Sequence, residues 1–248
     1  MNEEILPFPK HQRLRVPTGW EVGRNKFYDL EPEGKLLVDD VVNNKGWSLF
    51  EQDLLSCINA KRNIMLDMGW VSYADPDGQY VLSLIENNDW NNTNTICETR
   101  SKAEIVKAIE QTMLRISRDN GDYNVEAENV SLQPLRFNSV RWVVVKNELF
   151  EQIDPAGEMR IQGLPKEDGW QLMTEELLHL KWSREAKNQI CLDWFPAHDK
   201  SGAFRILATT DKYFEPPLVN YSTRDKAEAV EIVEHLTKEI HHVKPIKK

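Results

Sequence analysis

The side chains in this sequence that could do acid–base chemistry are carboxylates, and one of them recurs inside a predicted strand. Asp67 in the pair Leu66-Asp67 matches Asp193 in Leu192-Asp193, within a pattern that the chain contains twice. Such a carboxylate could act as a general base or accept hydrogen bonds from an arginine or lysine of a partner. No second catalytic group recurs with it, so a polar residue on the wet face of a sheet is the simpler interpretation.

Other chemical signatures are missing from the sequence. It contains no HExxH zinc pattern, no P-loop, no GxGxxG dinucleotide pattern and no GxSxG nucleophile pattern. No histidine of the second copy has a counterpart in the first, and the three cysteines, Cys57, Cys97 and Cys191, show no C-x-x-C spacing. We therefore expect free thiols, no metal site and no cofactor.

The charge of the chain indicates either plain solubility, as in many cytoplasmic proteins, or a basic protein partner. The formal net charge is −9, and acidic residues are spread over both halves. A surface of this sign repels the phosphates of nucleic acids and attracts basic proteins. The exposed acidic residues are expected beside the opening strand and at a hairpin tip, with two aromatic residues of the same hairpin. The predicted contact residues are Asp29, Glu31, Glu33, Asp39, Asp40, Asp75, Asp77, Trp70 and Tyr73.

A unit of roughly a hundred residues occurs twice, and this determines the predicted organisation. Trp47 recurs as Trp170, each after a glycine, and segment 99–104 recurs as 223–228, at an offset of about 121 to 126 residues. Two copies are too few for a solenoid and indicate a duplicated globular domain. The prediction is a monomer with internal pseudo-symmetry, whose parts are a first domain at 1–118, a linker at 119–134 and a second domain at 135–248.

The same elements are predicted in each copy. A capping residue, Ser101 or Asp225, begins an amphipathic helix that closes the copy. An antiparallel sheet with one face covered by this C-terminal helix gives the predicted fold class, which is α+β with two tandem repeats. The preceding elements are an opening strand (19–30, 140–150), a short helix or strand (49–55, 172–178), a strand with one alternating apolar face (64–70, 190–194), a hairpin turn with a glycine available for positive φ (75–78, 199–202) and a returning strand (79–85, 203–208).

Tryptophans that recur between the copies are expected in the core. Trp20 matches Trp142, and Trp47 matches Trp170, as is typical of buried anchors. Aromatic residues that differ between the copies are better candidates for recognition. These are Tyr28, Trp70, Tyr73, Trp182 and Tyr221.

The sequence predicts a cytoplasmic protein. No apolar run approaches the roughly 20 residues that span a bilayer, so no membrane segment is expected. Residues 1–5 have neither the basic start nor the apolar core of a secretory signal.

Short patterns in both copies resemble those of a known family. Gly19-Trp20-Glu21-Val22, Phe27-Tyr28-Asp29-Leu30 and the segment from Asp75 to Tyr80 are similar to the small acidic immunity proteins of bacterial polymorphic-toxin and contact-dependent growth inhibition systems. The resemblance implies a cytoplasmic, non-enzymatic protein that binds a cognate toxin domain, often a basic nuclease, and blocks its active site. Tandem duplication departs from the usual single domain, and it leaves open which copy, or which cleft, holds the toxin.

Two alternatives stay open at this point. One is a binding or adaptor module for another protein or a small molecule. The other is an enzyme that uses Asp67 or Asp193 in a cleft between the copies. Genomic position separates the first alternative from an immunity protein, whose gene should lie directly downstream of a large toxin gene.

Overall fold

A computed structural model describes residues 5–119, 130–137, 141–157, 159–182, 188–209 and 217–239. The first half of the described chain contains five strands and a helix, and the second half contains the same elements in the same order. In the first half these are β1 Glu21–Asn25, β2 Leu55–Asn59, β3 Ile64–Val71, β4 Gln79–Glu86, β5 Asn94–Thr99 and α1 Lys102–Arg118. In the second half they are β6 Trp142–Asn147, β7 Leu178–Trp182, β8 Gln189–Phe195, β9 Ala203–Thr209, β10 Val219–Thr223 and α2 Lys226–Glu239.

All ten of these strands form one antiparallel sheet. Their order is β10-β9-β8-β7-β6-β1-β2-β3-β4-β5, so the two opening strands are neighbours at its centre. Glu21 and Val22 of β1 pair with Val143 and Trp142 of β6. The helices α1 and α2 pack on the strands of their own halves, and the α+β class is therefore confirmed.

The core follows the alternation of the strands. In β3, Leu66, Met68 and Trp70 are buried, and they belong to the same apolar cluster as Ile105 and Ile109 of α1. Side chains one residue apart in a strand point to opposite faces, so this face of the sheet is the one that the helices cover. Four tryptophans are fully buried, and they anchor the core at matching places in the two halves. They are Trp20, Trp70, Trp142 and Trp194.

Each long helix begins with a three-residue hydrogen-bond relay. The Ser101 side chain accepts from the Glu104 amide at 3.2 Å, as the capping pattern predicts. The Glu104 carboxylate accepts from the Thr99 hydroxyl, and Thr99 Oγ1 accepts from the Ser101 amide. Thr223, Asp225 and Glu228 form the same relay before α2. The Asp225 amide donates to Thr223 Oγ1, the Thr223 hydroxyl donates to the Glu228 carboxylate, and the Glu228 amide donates to the Asp225 carboxylate. The threonine thus takes the place of the direct return contact in a capping box.

The two halves exchange contacts across the sheet centre. The Asn25 amide donates to the Phe137 carbonyl at 2.8 Å, and the Asn147 amide donates to the Val16 carbonyl at 2.9 Å. Leu14 pairs reciprocally with Leu135 through backbone hydrogen bonds. The segment before each opening strand therefore lies against the other half.

Partly buried ion pairs strengthen this exchange. Arg15 donates through its backbone amide and its guanidinium to Glu110 of α1, and its guanidinium also contacts Glu151 of the second half at 2.8 Å. Arg136 donates in the same two ways to Glu234 of α2, and its guanidinium lies 3.8 Å from Asp29 of the first half. Charged hydrogen bonds of this kind hold the helices and both opening segments in one unit.

Several predictions about the elements were wrong. The segments 49–55 and 172–178 are not helices; short 3-10 turns end at Leu49 and Leu172, and strands begin at Leu55 and Leu178. The glycine of the hairpin turn does not adopt a positive φ. Gly78 is required by close packing, since a Cβ there would lie 2.2 Å from Trp70 Nε1.

The register of the strands also corrects the matching of the two halves. Trp70 and Trp194 take the same place beside Tyr80 and Phe204, so Asp67 matches Cys191 and not Asp193. A slip of two residues preserves strand alternation, which is why sequence matching did not reveal it.

Some predictions concern parts of the chain that the structure leaves undescribed. Residues 120–129 of the proposed linker, residue 140 of the second opening strand and residues 240–248 lie outside the described residues. The division into domains at 119–134 therefore stays a prediction. Among the helices of the described residues, none is long and apolar enough to cross a membrane.

Candidate functional site

Two of the predicted acidic segments meet at one surface cavity. Glu33 of the first segment, Asp77 of the hairpin tip and Trp47 all lie on its walls. We call this cavity, of about 590 Å³, the Trp47 groove. It is lined by Pro32, Glu33, Gly34, Trp47, Pro76, Asp77, Arg100 and Ser101.

Local backbone packing holds one wall of the Trp47 groove. Trp47 lies in the 3-10 turn Gly46–Leu49, and its indole Nε1 donates to the Gly34 carbonyl at 3.2 Å. Gly46 is packed so closely that a Cβ would lie 2.8 Å from Val38, which fixes the start of the turn. The indole is half-buried, because its inner edge packs on Phe50, with ring centroids 5.1 Å apart.

The other wall of the groove is the turn between β3 and β4. Trp70 Nε1 donates to the Asp75 carbonyl at 2.9 Å, and the Asp75 carboxylate accepts from the Asp77 amide at 2.9 Å. Arg100 donates to the Pro76 carbonyl. The Asp77 side chain is 98% exposed and lies 4.0 Å from the Arg100 guanidinium. The turn is thus fixed by buried and charged groups while its carboxylate projects into solvent.

The second half has the same scaffold without the two acids. Arg224 donates to the Gly202 and Lys200 carbonyls at 2.8 and 2.9 Å, which repeats the support of the hairpin turn. Ala156 and Ser201 occupy the places of Glu33 and Asp77. The acidic character of the groove therefore belongs to the first half.

Asp29 and Glu31, which were also predicted as contact residues, bind a lysine of the same chain. Lys102 Nζ lies 2.7 Å from Asp29 and 2.8 Å from Glu31. Burial by itself lowers the pKa of Lys102, but the hydrogen bonds to the two carboxylates outweigh burial and raise it. These two acids serve first to hold the start of α1 in place.

The matching lysine of the second half has a different environment. Lys226 donates to the carbonyl oxygens of Phe150 and Glu151, both at 2.7 Å. Burial lowers the pKa of Lys226 to about 8, against the smaller opposing effects of Asp154 and Glu151. Neutral carbonyls thus replace the carboxylates that surround the lysine of the first half.

The other predicted contact residues do not all lie at the groove. Asp39 and Asp40 are exposed in a turn where the Asp39 amide donates to the Leu6 carbonyl. Tyr73 is 59% exposed beside the hairpin turn. Trp70 was wrong as a contact residue, because it is completely buried and its counterpart in the core is Trp194. Asp75 is exposed, but its carboxylate is engaged within the turn.

The buried anchors predicted at Trp47 and Trp170 are only half-buried. The 3-10 turns that carry them bring each ring to the edge of the core and leave part of it at the surface. Trp20 and Trp142, by contrast, are confirmed as core residues. In the first half this partial exposure is what supplies the Trp47 groove with an aromatic surface.

The carboxylates singled out for acid–base chemistry lie in unlike environments. Asp193 is buried and paired with Arg205 of the neighbouring strand at 2.6 Å. Burial raises the pKa of Asp193 despite that arginine. Asp67 is half-buried, and burial with the nearby Asp53 raises its pKa, against the effect of Arg24. The ion pair gives Asp193 a structural role. Asp67 and Asp193 have different neighbours and do not form a shared site.

One cluster of reactive groups was missed by the sequence analysis. Donor atoms of Glu176, His179 and Cys191 lie within 4.8 Å of one another, on β7, β8 and the residues just before β7. A cysteine, a histidine and an acid could form a nucleophilic triad. However, burial, with Asp193 and Glu176, raises the pKa of Cys191 to about 12, and the thiol is therefore protonated near neutral pH. Glu176 and His179 are three residues apart and Cys191 follows twelve residues later, a spacing that matches none of the motifs considered above; strand pairing brings the thiol beside the imidazole.

The described geometry thus offers two places for chemistry: an acidic groove with an aromatic wall, and a Glu-His-Cys cluster in the other half. Comparisons of the chain with protein families, with curated proteins and with solved structures found no match.

Proposed function

We propose that this chain is a cytoplasmic immunity protein that binds and neutralises a cognate, basic toxin domain without catalysis of its own. The observation that carries the proposal is the Trp47 groove, whose lining combines two acids from distant segments with one partly exposed indole. The net charge of −9 favours the same kind of partner, because it attracts a basic domain over long distances. A nuclease is the favoured toxin class, since a nucleic-acid-binding surface is basic.

The groove suits a lysine or arginine side chain of the toxin. A cation over an indole face is attracted by the ring, and the attraction is larger for tryptophan than for the other aromatic residues. Glu33 and Asp77 can then accept hydrogen bonds from the same cation. Arg100 also lies on the groove wall, so two carboxylates and one guanidinium give the lining a formal charge of −1. An inserted cation taken from the nuclease surface is no longer available to bind the phosphates of its substrate.

The two halves are proposed to be tandem repeats that have diverged in function. Their identical order of elements, their matching helix relays and their exchanged contacts support a duplication. The first repeat keeps acids at its groove, whereas the second has Ala156 and Ser201 at those places. We therefore assign toxin binding to the first repeat, with the second completing the sheet that supports it.

The test is a charge reversal confined to the groove. The double variant Glu33→Lys, Asp77→Lys should associate with the toxin domain encoded beside this gene about tenfold more slowly at low salt. The difference should shrink at high salt, because exposed charges are screened. Cells that express the toxin should lose protection. Binding kinetics and cell survival measure the two effects.

A matched control places the same charge change elsewhere. Glu86 and Asp89 are exposed at the opposite end of β4, an eight-residue strand, and so lie about 25 Å from the groove. The variant Glu86→Lys, Asp89→Lys should slow association much less and should keep protection. Equal losses in both variants would reject the groove as the contact site. The absence of a toxin gene next to this one would reject the function.

A further inference from the structure

The Glu-His-Cys cluster is formed by direct strand pairing in the second half. His179 of β7 and Cys191 of β8 are cross-strand partners, so their side chains project side by side from the same face of the sheet. Glu176 precedes β7 by two residues, and its carboxylate lies 3.2 Å from His179 Nδ1. Three donor atoms of different kinds, oxygen, nitrogen and sulfur, thus converge within 4.8 Å.

The first half shows that this convergence is not a property of the scaffold alone. The matching places carry Asp53, Ser56 and Asp67, which provide no nitrogen or sulfur donor. There, Asp53 is paired with Arg24 of β1. The second half carries different residues at all three places, so it has a set of metal-ligand types that the first half lacks.

The basic residue next to the cluster is also engaged differently. Lys146 takes the place of Arg24 beside β7. Its ammonium group pairs with Glu148 at 3.0 Å instead of with Glu176. The Glu176 carboxylate faces His179. Arg205 of β9, the strand next to β8, is paired with Asp193.

The histidine ring is oriented by a second contact. Its Nε2 lies 2.9 Å from Gln189 Oε1, and an amide oxygen at that place accepts a proton from the ring. A neutral ring with its proton on Nε2 would present the lone pair of Nδ1 to a metal ion held beside Glu176. Hydrogen bonds of this kind to the distal nitrogen are how proteins orient metal-binding histidines.

We propose that Glu176, His179 and Cys191 form a binding site for a zinc ion. One thiolate, one imidazole and one carboxylate match the ligands that zinc prefers, with a fourth tetrahedral position left for water or another donor. Ligand atoms around a tetrahedral zinc ion are separated by roughly 3.3–3.9 Å, from its bond lengths. Side-chain rotations therefore bring the three donors from their present spacing to coordination distance. Binding displaces the thiol proton of Cys191, which is released to solvent.

Cobalt(II) provides the direct test, because it takes the place of zinc and reports its ligands by absorption. Titration of the full chain, reduced and treated with chelator, should give a near-ultraviolet cobalt–thiolate charge-transfer band that saturates at one equivalent. One equivalent of zinc should abolish the band. Cys191→Ser should remove it, and His179→Gln should weaken cobalt binding at least tenfold. Cys97→Ser, at a half-buried thiol of β5, is the matched control and should leave the band unchanged.

Three outcomes would overturn the proposal. The first is cobalt binding to the native chain without a thiolate band, which would indicate ligands elsewhere, such as the histidine pair His241 and His242. The second is a band that persists in Cys191→Ser. The third is unchanged affinity in His179→Gln with the circular dichroism of the native fold. That variant keeps the thiol, so it still decides the question if Cys191→Ser does not fold.

Discussion

Glu234 connects the two halves, and its removal is a quantitative test of the architecture. This carboxylate of α2 is 7% exposed and accepts four hydrogen bonds from two arginines. Arg13, which precedes β1, donates from Nε at 2.8 Å and from Nη2 at 3.2 Å. Arg136, which precedes β6, donates from its backbone amide at 2.9 Å and from Nη1 at 3.2 Å. Glu234→Ala would therefore leave two cations and one amide without this acceptor.

The expected loss follows from the burial of these groups. A hydrogen bond to a charged group contributes about 1.5–3 kcal/mol, and removing one partner of a buried pair costs about 3–5 kcal/mol. The side chains of Arg13 and Arg136 are 34% and 17% exposed, so water replaces part of what they lose. We expect Glu234→Ala to lower the free energy of unfolding by about 3 kcal/mol. Glu231→Ala, at an exposed position of the same helix, should change it by less than about 0.5 kcal/mol.

Urea unfolding measured by far-ultraviolet circular dichroism and by tryptophan fluorescence provides the assay. The midpoint should fall while the slope stays constant, as for a loss of stability without a change in the exposed surface. Trp142, one of eight tryptophans, donates to the Thr237 carbonyl of α2, so part of the fluorescence change reports on the contact between this helix and the sheet. A loss below about 1 kcal/mol in Glu234→Ala, with the native spectrum intact, would refute the reasoning.

Further outcomes follow from other parts of the fold. Compared with the Lys226→Met variant, the native chain should gain stability as the pH rises from about 8 to the ordinary lysine pKa. In that interval the folded chain has released the proton of the buried Lys226, whereas the unfolded chain still holds it. Compared with the Lys102→Met variant, the native chain should lose stability as the pH rises through the raised folded pKa of Lys102. Urea unfolding midpoints measured across this pH range test the gain expected for Lys226 and the loss expected for Lys102. Gly78→Ala should cost about 1–3 kcal/mol in thermal unfolding, because its Cβ would overlap Trp70, whereas Gly157→Ala meets no contact closer than 3.6 Å and should cost less. Trp47→Ala should cost about 1–3 kcal/mol by urea unfolding, below the range for a fully buried tryptophan.

The sequence predicted the elements whose signals are local. The strand from Ile64 to Trp70 alternates clearly, and the helix start at Ser101 has a capping residue at the right distance from Glu104. Both therefore appear where they were expected. The edge strand β5, Asn94–Thr99, was missed because it is short, polar and largely exposed, which is how edge strands avoid unwanted pairing.

The strand β2 was missed for a different reason. The apolar spacing from Leu49 to Leu55 fits a short helix as well as a strand, but only Leu55 belongs to the strand, although Leu54 is buried as well. Leu54 is buried by the turn that enters it, where its amide bonds to the Met68 carbonyl. Leu54 lies in an irregular segment before the strand, so its burial does not follow the two-residue periodicity of a strand, and periodicity in the sequence cannot predict it.

The candidate sites were predictable only in part. Glu33 and Asp77 were selected for their charge, but nothing in the sequence showed that they share a groove with Trp47. Asp29 was selected by the same criterion and instead pairs with Lys102. The net charge of a segment does not distinguish an acid that faces solvent from one that holds a helix, because that depends on tertiary contacts.

The central pairing of β1 with β6 affects how the chain can fold while it is being synthesised. During synthesis, β1 can pair with β2 early, but its other edge has no partner until β6 is made, more than a hundred residues later. At a translation rate of about 5–20 residues per second, that interval is on the order of 10 s. Through it, the nascent first half carries an open strand edge, the kind of surface that pairs with neighbouring chains. Crowded ribosomes on one messenger RNA would place several such edges side by side, so the speed at which residues 26–147 are translated sets how long each edge is exposed.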